Sequence, residues 1–289
     1  MAAATATAQS DTNACAAIRP FYWEIGDRSA ALASGSVASS TSATVYTQTS
    51  AMSIASASKW LYAAYVVEKR SGVLTADDYK FLNFQSGYTS FTTCDQTQTV
   101  AQCQAMGTNG EYTAADDGKF LYNGGHMERH AVLFGLGALD NAGLAAELKT
   151  QVGSEGFLIY TQPQLAGGVF TSPAAYAVIL RKMLGGQLRM GALLGTHPVC
   201  TNPKTCTSAL GAPIPSNESW HYSIGHWVED DPIVGDGAFS SAGLFGFYPW
   251  IDASKTYYGI IGRAAVAGAL DSVDCGRIVR KAFVTGVAQ

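Results

Sequence analysis

One serine in the chain has a lysine partner at helical spacing. Ser56 and Lys59 lie in the stretch 53–60, and residues three apart share one face of a helix. A serine hydroxyl becomes a strong nucleophile only when a neighbouring base takes its proton. A buried lysine can be that base, because desolvation disfavours the ammonium form and lowers the lysine pKa. Backbone N–H groups at the helix start could stabilise an oxyanion at Ser56, so the pair predicts acyl transfer.

The same spacing also occurs at ordinary helix starts, where the serine is an N-cap and the lysine is solvated. Two features favour chemistry here. Lys59 is the only one of nine lysines with a serine three residues before it. The residues that follow, 60–67, are apolar almost all round, which is typical of a buried helix. The helix is predicted to run to about Arg70, with Gly72 just past its end.

Tyr122 is the candidate for a second acid–base group. It lies on a turn flanked by glycines, where the backbone can approach a site closely. A tyrosine near a cationic lysine would have its phenolate favoured. The alternative is an ordinary core tyrosine, and the segment by itself favours that alternative.

Several other kinds of site find no support in the sequence. Gly-x-Ser-x-Gly is absent, and so is a phosphate-binding glycine loop followed by Lys-Ser/Thr. His126 and His130 have the spacing of a metalloprotease pair, but Met127 stands where the glutamate is required. Helix packing explains the two histidines better than a metal does. We therefore expect neither a metal nor another cofactor.

Composition indicates a chain with a large core. Of 289 residues, 47% are apolar and 14% charged, and the net charge is −4, so neither nucleic acid nor an anionic membrane is an expected partner. No stretch approaches the 18 apolar residues of a membrane span. Residues 1–14 are small and polar, without the basic start and apolar centre of an intact signal peptide, and they are predicted to be frayed.

Six cysteines without metal-site spacing indicate disulfides and an oxidising compartment, secreted or periplasmic. Cys94–Cys103 and Cys200–Cys206 are expected pairs because each is close in sequence across a loop-like stretch. Cys15–Cys275 is the pair that remains. The alternative is six buried free thiols in a cytosolic protein.

Hydrophobic patterns place strands near both chain ends and helices in the middle, which is an α+β layout. We expect one two-lobed domain over residues 15–289. Its α/β lobe would comprise about 15–75 and 210–289, and an inserted all-α lobe about 76–209. The predicted strands are 21–26, 31–38, 43–47, 220–229, 243–251 and 256–264, and the predicted helices are 56–70, 127–139, 141–152, 173–184 and 270–284.

Five segments, in order, resemble the serine β-lactamases and penicillin-binding proteins, specifically the class C-like branch that includes many esterases and amidases. Ser56-x-x-Lys59 resembles the nucleophile motif of that branch, and this is the specific element. The other four are weaker singly: 81–88 is similar to the Leu-Leu-x-His-x-Ser-Gly stretch, 118–126 to the Tyr-x-Asn region, 166–169 to the Ala-Gly-Gly segment and 222–227 to the Tyr-Gly-x-Gly-Trp strand.

The resemblance covers the chain from about residue 20 to its end, and it implies an antiparallel sheet with flanking helices and a site in the cleft between two lobes. It implies Ser56 as the acylated nucleophile, Lys59 as the base and Tyr122 as a proton shuttle. It also implies an oxyanion hole formed by the Ser56 N–H and an N–H of the edge strand.

Two positions depart from the family pattern. Gly124 stands where Tyr-x-Asn has its asparagine, so that amide is missing unless Asn123 replaces it. In the third motif, Ala238 stands where the Lys or His belongs, Ser240 takes the place of the glycine and Ser241 takes the oxyanion-hole position. If another residue supplies the cation, Arg263 on the last strand is the first candidate.

Without that cation, a substrate carboxylate would lose a charge-assisted hydrogen bond of ~1.5–3 kcal/mol. We therefore expect a serine hydrolase for uncharged carboxylic esters or amides. The alternatives are a D-amino-acid peptidase or β-lactamase, and a catalytically silent module that binds peptidoglycan.

Overall fold

An eight-stranded antiparallel sheet, built from both ends of the chain, is the centre of the molecule. The computed structural model describes all 289 residues. The thirteen strands are β1 (Phe21–Asp27), β2 (Ala31–Val37), β3 (Met52–Ser53), β4 (Phe120–Leu121), β5 (Leu158–Tyr160), β6 (Val169–Thr171), β7 (Val199–Cys200), β8 (Ala209–Gly211), β9 (His221–Ser223), β10 (His226–Glu229), β11 (Ala238–Ser240), β12 (Tyr248–Ile251) and β13 (Tyr257–Gly262). The large sheet has the order β2-β1-β13-β12-β11-β10-β9-β7.

Nine helices accompany the strands. They are α1 (Ala2–Ala8), α2 (Ser58–Lys69), α3 (Ala76–Leu82), α4 (Val100–Gln104), α5 (Gly125–Ala131), α6 (Asn141–Val152), α7 (Pro173–Leu184), α8 (Met190–Leu193) and α9 (Ala269–Thr285). Six of them, α3 to α8, lie between residues 76 and 209, together with the short strands β4 to β7. No single helix is long and apolar enough to cross a membrane. Gly125–Leu136 and Asn141–Val152 reach that length and composition only as a pair, and the two are bent by 78° relative to each other.

The pairing of β1 with β13 confirms the predicted α+β layout. Tyr22 lies opposite Gly262 in this antiparallel pair, so the first and last strands of the sheet are neighbours. β1 is buried on both faces, whereas β2 at the sheet edge is largely exposed. The prediction that the helix after Ser56 is buried is also confirmed, because every residue of α2 from Ser58 to Glu68 is buried.

The three predicted disulfides are all present. Cys15 and Cys275 join the N-terminal segment to α9 with their Cα atoms 4.6 Å apart. The Cα–Cα distances of Cys94–Cys103 and Cys200–Cys206 are 5.0 and 6.4 Å. No cysteine is free.

The prediction that residues 1–14 are frayed is wrong. Residues 2–8 form α1, which packs against α9 and buries Ala4, Thr7 and Ala8. Alanine is the best helix former, and its small side chain allows close packing. The backbone N–H of Gln289 also donates to Thr7 Oγ1 at 2.9 Å, which ties the two ends of the chain together.

The predicted strand over residues 220–229 is two strands. β9 and β10 form a tight hairpin through Ile224 and Gly225, whose φ angles are +41° and +75°. The type I′ turn, one of the two common two-residue hairpin turns, needs positive φ at both central positions. A Cβ atom at Gly225 would lie 2.6 Å from Ala63 Cβ and 2.9 Å from the Lys59 carbonyl oxygen, so glycine lets the hairpin pack directly against α2.

Three other predicted elements differ from the structure. Residues 43–47 form no strand, and 243–251 is a strand only from Tyr248. The helix predicted over 127–139 starts at Gly125 and passes into a π-helical turn at Val132–Leu136, which Gly135 interrupts with φ +87°. The helix at 173–184 is confirmed, and its N-cap Ser172 accepts from the Ala175 N–H at 3.3 Å.

Candidate active site

Ser56 lies on a single 3-10 turn, Ala55–Ala57, immediately before α2. Ala55 has φ +43°, a left-handed conformation that costs a non-glycine residue ~1–2 kcal/mol. Backbone strain of this kind clusters at functional sites. Ser56 itself remains partly accessible, whereas the residues on either side of it are buried.

Lys59 contacts the nucleophile candidate directly. Its Nζ lies 2.9 Å from Ser56 Oγ and donates to the Ala166 carbonyl oxygen at 2.8 Å. The side chain is buried, and no carboxylate oxygen lies within 4.0 Å of Nζ. Burial lowers the pKa of Lys59 to about 7, and this effect outweighs that of Glu128, whose negative charge would raise the pKa. A large share of the side chain is therefore a free amine at neutral pH, which is the form that can accept a proton.

Tyr122 lies beside both residues. Its ring centroid is 4.8 Å from Lys59 Nζ, and the Ser56 and Trp227 side chains face its hydroxyl. The ring also stacks on Trp227 at 5.0 Å between centroids. Burial raises the pKa of Tyr122, so the expectation of a lysine-stabilised phenolate is wrong. The group is a neutral phenol, which is a proton donor.

Two of the four residues predicted for the oxyanion hole and for substrate binding do not fit their assigned roles. Ser241 Oγ donates to the Ser56 carbonyl at 3.1 Å, but its N–H donates to the Pro249 carbonyl in the sheet and is not available to an oxyanion. Ser240 is fully buried and, by strand alternation, points away from the face that carries Ser241. It therefore cannot contact a substrate.

The free N–H at this end of β11 belongs to Ala242, which the sequence analysis missed. The N–H groups of Ser241 and Gly243 both donate to carbonyls on the β12 side, at Pro249 and Phe247. Because backbone N–H groups alternate in direction along an extended strand, the Ala242 N–H points away from β12. It makes no hydrogen bond, and neither does the Ser56 N–H. These two N–H groups are the free donors beside the nucleophile candidate.

The side-chain oxygen of Asn123, the residue expected to replace the missing motif amide, is already engaged within its own segment. Asn123 Oδ1 accepts from the Gly125 N–H at 2.8 Å and so holds the start of α5. The space beside Gly124 is taken by an aromatic ring instead. A Cβ atom at Gly124 would lie 3.1 Å from Phe91 Cδ1 and 3.4 Å from Ala166 Cβ. Phe91, which was also missed, therefore packs against Gly124, two residues after Tyr122.

No second cation reaches these residues. Ala238 is fully buried. The guanidinium of Arg263 donates to Ser272 Oγ at 3.0 Å and to the Gly268 carbonyl at 3.1 Å, at the start of α9. Lys59 is the one cationic side chain that contacts Ser56. The chain also has no group of three or more His, Cys, Asp or Glu side chains placed to hold a metal.

Solved structures with the same fold include a β-lactamase, an amidase and a simvastatin synthase. D-amino acid amidase from Ochrobactrum anthropi has a TM-score of 0.68 at 11% identity, over 98% of this chain and 99% of that one. Simvastatin synthase from Aspergillus terreus has 0.64 at 12%, over 93% and 95%. A β-lactamase from Mycobacterium bovis has 0.57 at 13%, over 93% and 95%.

No protein-family model matches the sequence, and no curated protein is similar to it. At these identities the structural likeness shows the fold. The chain has the fold of the serine β-lactamase and penicillin-binding-protein group, as the sequence resemblance implied. Within that fold, its own Ser56, Lys59 and Tyr122 meet at one point.

Proposed function

We propose that this protein is a serine hydrolase that acts through an acyl-enzyme on uncharged carboxylic esters or amides. The observation that carries the proposal is the contact of a buried Lys59 amine with Ser56 Oγ at 2.9 Å. A base at hydrogen-bond distance from a hydroxyl is what nucleophilic catalysis by serine requires.

In the first half of the reaction, the Lys59 amine takes the Ser56 proton as Oγ attacks the substrate carbonyl carbon. Negative charge then develops on the carbonyl oxygen. The free N–H groups of Ser56 and Ala242 would stabilise it, since donors fixed before the reaction stabilise a developing oxyanion best. Tyr122, a neutral phenol, would donate a proton to the leaving alcohol or amine as the C–O or C–N bond breaks.

In the second half, water attacks the Ser56 ester. Its proton passes to the Tyr122 and Lys59 pair, the C–Oγ bond breaks and Oγ regains a proton. The products are a carboxylic acid and the alcohol or amine, and the protein returns to its starting state. Each of the two residues thus reverses its role between the halves: Lys59 first accepts a proton and later returns it, and Tyr122 first donates a proton and later regains one.

The side chains around Ser56 and Tyr122 favour a neutral, apolar acyl group. Phe91 takes the space beside Gly124, and Trp227 stacks on Tyr122. With no cation besides Lys59 against Ser56, a substrate carboxylate would lack a charge-assisted hydrogen bond worth ~1.5–3 kcal/mol. Neutral acyl groups lose nothing by that absence. Penicillins and D-Ala-D-Ala peptides are therefore the poorer substrates.

We also propose that the protein works outside the reducing cytosol, in a secreted or periplasmic setting. Its six cysteines form three disulfides, and such bonds persist in oxidising compartments.

The test is kcat/KM for three substrates measured side by side: a short-chain p-nitrophenyl ester, D-phenylalanine amide and a chromogenic cephalosporin. We expect the ester to be cleaved best and the cephalosporin weakly or not at all. A cephalosporin value equal to or above that of the ester would contradict the proposed substrate class.

A fluorophosphonate probe distinguishes an enzyme from a catalytically silent module of the same fold, because it labels only an activated serine. We expect labelling on Ser56. An intact protein that no fluorophosphonate labels would be the silent module.

A further inference from the structure

Glu128 on α5 is unlike the other buried glutamates of this chain. Four of the five, Glu24, Glu68, Glu218 and Glu229, have an arginine nitrogen within 4.0 Å. Glu128 is fully buried and has no cationic nitrogen within that distance. Buried carboxyls are ordinarily paired because desolvating a charge is costly, so Glu128 needs another explanation.

Its contacts lead to the nucleophile. Glu128 Oε1 accepts from the Ala166 N–H at 3.2 Å, and Oε2 is buried without a hydrogen-bond partner. The carbonyl of the same Ala166 accepts from Lys59 Nζ at 2.8 Å, and that Nζ lies 2.9 Å from Ser56 Oγ. Ala166 is therefore held from both sides, by the carboxyl at its N–H and by the amine at its carbonyl.

The titratable groups that face Glu128 are few. Lys59 and Tyr62 face it from α2, and Tyr160 faces it from β5. Burial raises the pKa of both tyrosines, which keeps them neutral. On α5 itself, the two ring nitrogens of His130 bind Tyr62 and Asp78, and neither binds Glu128. Lys59 is therefore the one group whose charge Glu128 can change near neutral pH.

We propose that Glu128 is a positioning residue for the Lys59 base: its carboxyl holds Ala166, and through the Ala166 carbonyl it holds the amine against Ser56. The proposal rests on the proposed serine-hydrolase function. One N–H of the amine donates to the Ala166 carbonyl, and this hydrogen bond fixes the orientation of the amine. The lone pair of the nitrogen is then free to accept the proton of Ser56. The carboxyl has to be neutral for this role, because an anion at Glu128 would favour the ammonium form of Lys59, which cannot accept a proton.

The test is the rate of fluorophosphonate labelling as a function of pH for the wild type, Glu128→Gln and Glu128→Ala. Glu147→Gln is the matched control, since Glu147 pairs with Lys69 and Tyr65 on the outer side of α2. Thermal unfolding of each variant shows whether it is folded. Gln keeps an oxygen for the Ala166 N–H but carries no charge, whereas Ala removes both.

We expect Glu128→Ala to lower the plateau rate by on the order of 10–100-fold, the usual consequence of a misplaced catalytic group. Glu128→Gln should retain more of the plateau than Glu128→Ala. The acidic midpoint of Glu128→Gln should stay near that of the wild type, because burial raises the pKa of Glu128 above that of Lys59 and the carboxyl is mostly neutral where Lys59 titrates. Glu147→Gln should change neither quantity.

A folded Glu128→Ala variant with the wild-type rate and midpoint would overturn this proposal alone. A plateau of Glu128→Gln as low as that of Glu128→Ala would overturn the role of the acceptor oxygen. Absence of labelling in the wild type would overturn the serine-hydrolase function, and this proposal with it.

Discussion

The molecule buries carboxyl groups in two regions. In one region they are paired with arginines, and in the other the carboxyl has no cationic partner. Between the sheet and α9, Glu229 accepts from Tyr248, Arg277 and Arg280, at 2.6, 3.0 and 3.2 Å. Arg280 also pairs with Asp236. In the second region, the equally buried Glu128 is linked to Ser56 through Ala166 and Lys59, and it has one backbone donor and no guanidinium partner.

The difference concerns which groups can change charge near neutral pH. Although burial opposes both shifts, Arg280 lowers the pKa of Asp236, and Tyr248 and Glu229 raise the pKa of Arg280. These two groups of the α9 cluster therefore keep their charges at neutral pH. In the other region, burial lowers the pKa of Lys59 to about 7 and raises the pKa of Glu128 to about 8. Groups whose pKa values converge on neutrality in a buried site are typical of acid–base chemistry. The predictions below test this contrast, from the largest expected effect to the smallest.

Ser56→Ala should abolish both ester turnover and fluorophosphonate labelling. Lys59→Ala should cost nearly as much, because residues that act as a unit are not additive. Ser53→Ala, on neighbouring β3, is the control and should keep both activities. The measurements are the rate of p-nitrophenyl ester hydrolysis and mass spectrometry of the labelled peptide. Labelling that persists on another serine of Ser56→Ala would assign the nucleophile elsewhere.

Tyr122→Phe should slow turnover by on the order of 10²–10⁴-fold, the usual contribution of a general acid–base group. The ring and its stacking on Trp227 remain, so the change removes only the hydroxyl. Pre-steady-state kinetics with the ester would show whether acylation or deacylation is the slower step in the variant. A rate within about twofold of the wild type would exclude Tyr122 from the mechanism.

The contact between Ser56 and Lys59 and the general layout could be predicted from the sequence because local spacing determines them. Ser56 and Lys59 are one helical turn apart, and the short-range disulfides follow from proximity. The alternating pattern of side chains over 220–229 predicted one strand where there are two. The period of two continues through both strands of the hairpin, whose turn is Ile224–Gly225. The N-terminal helix was missed for a different reason. Short helices are unstable alone, and α1 depends on its packing against α9.

The parts of the site that could not be predicted depend on distant backbone. Whether Ser241 or Ala242 offers a free N–H is decided by the register with β12, which takes the Ser241 N–H. Glu128 acquires its role from Ala166, 38 residues further along the chain. No spacing rule relates those positions. A glutamate on an otherwise buried helix was the only signal available.

Stability measurements on one charge-removing substitution in each region would sharpen the contrast. Glu229→Gln leaves Arg277 and Arg280 buried without their full counter-charge, and breaking such a pair ordinarily costs ~3–5 kcal/mol of unfolding free energy. Glu128→Gln removes a carboxyl that has no ion pair to lose, so at neutral pH it should be at least as stable as the wild type. Urea unfolding at neutral pH is the measurement. Equal destabilisation by the two substitutions would show that Glu128 has a strong partner after all.

The pH dependence of the same measurement tests the protonation state of Glu128. The pKa of Glu128 is raised by burial to about 8, so between its unfolded pKa and about 8 the folded state binds more protons than the unfolded state. Stability from this group is then full at acidic pH and is lost as the pH rises through the folded pKa. Glu128→Gln removes this loss, so its advantage over the wild type should grow as pH rises from about 5 and level off above about 8. An advantage that shrinks with rising pH would mean that Glu128 is an ordinary stabilised carboxylate, and the contrast with the α9 cluster would not hold.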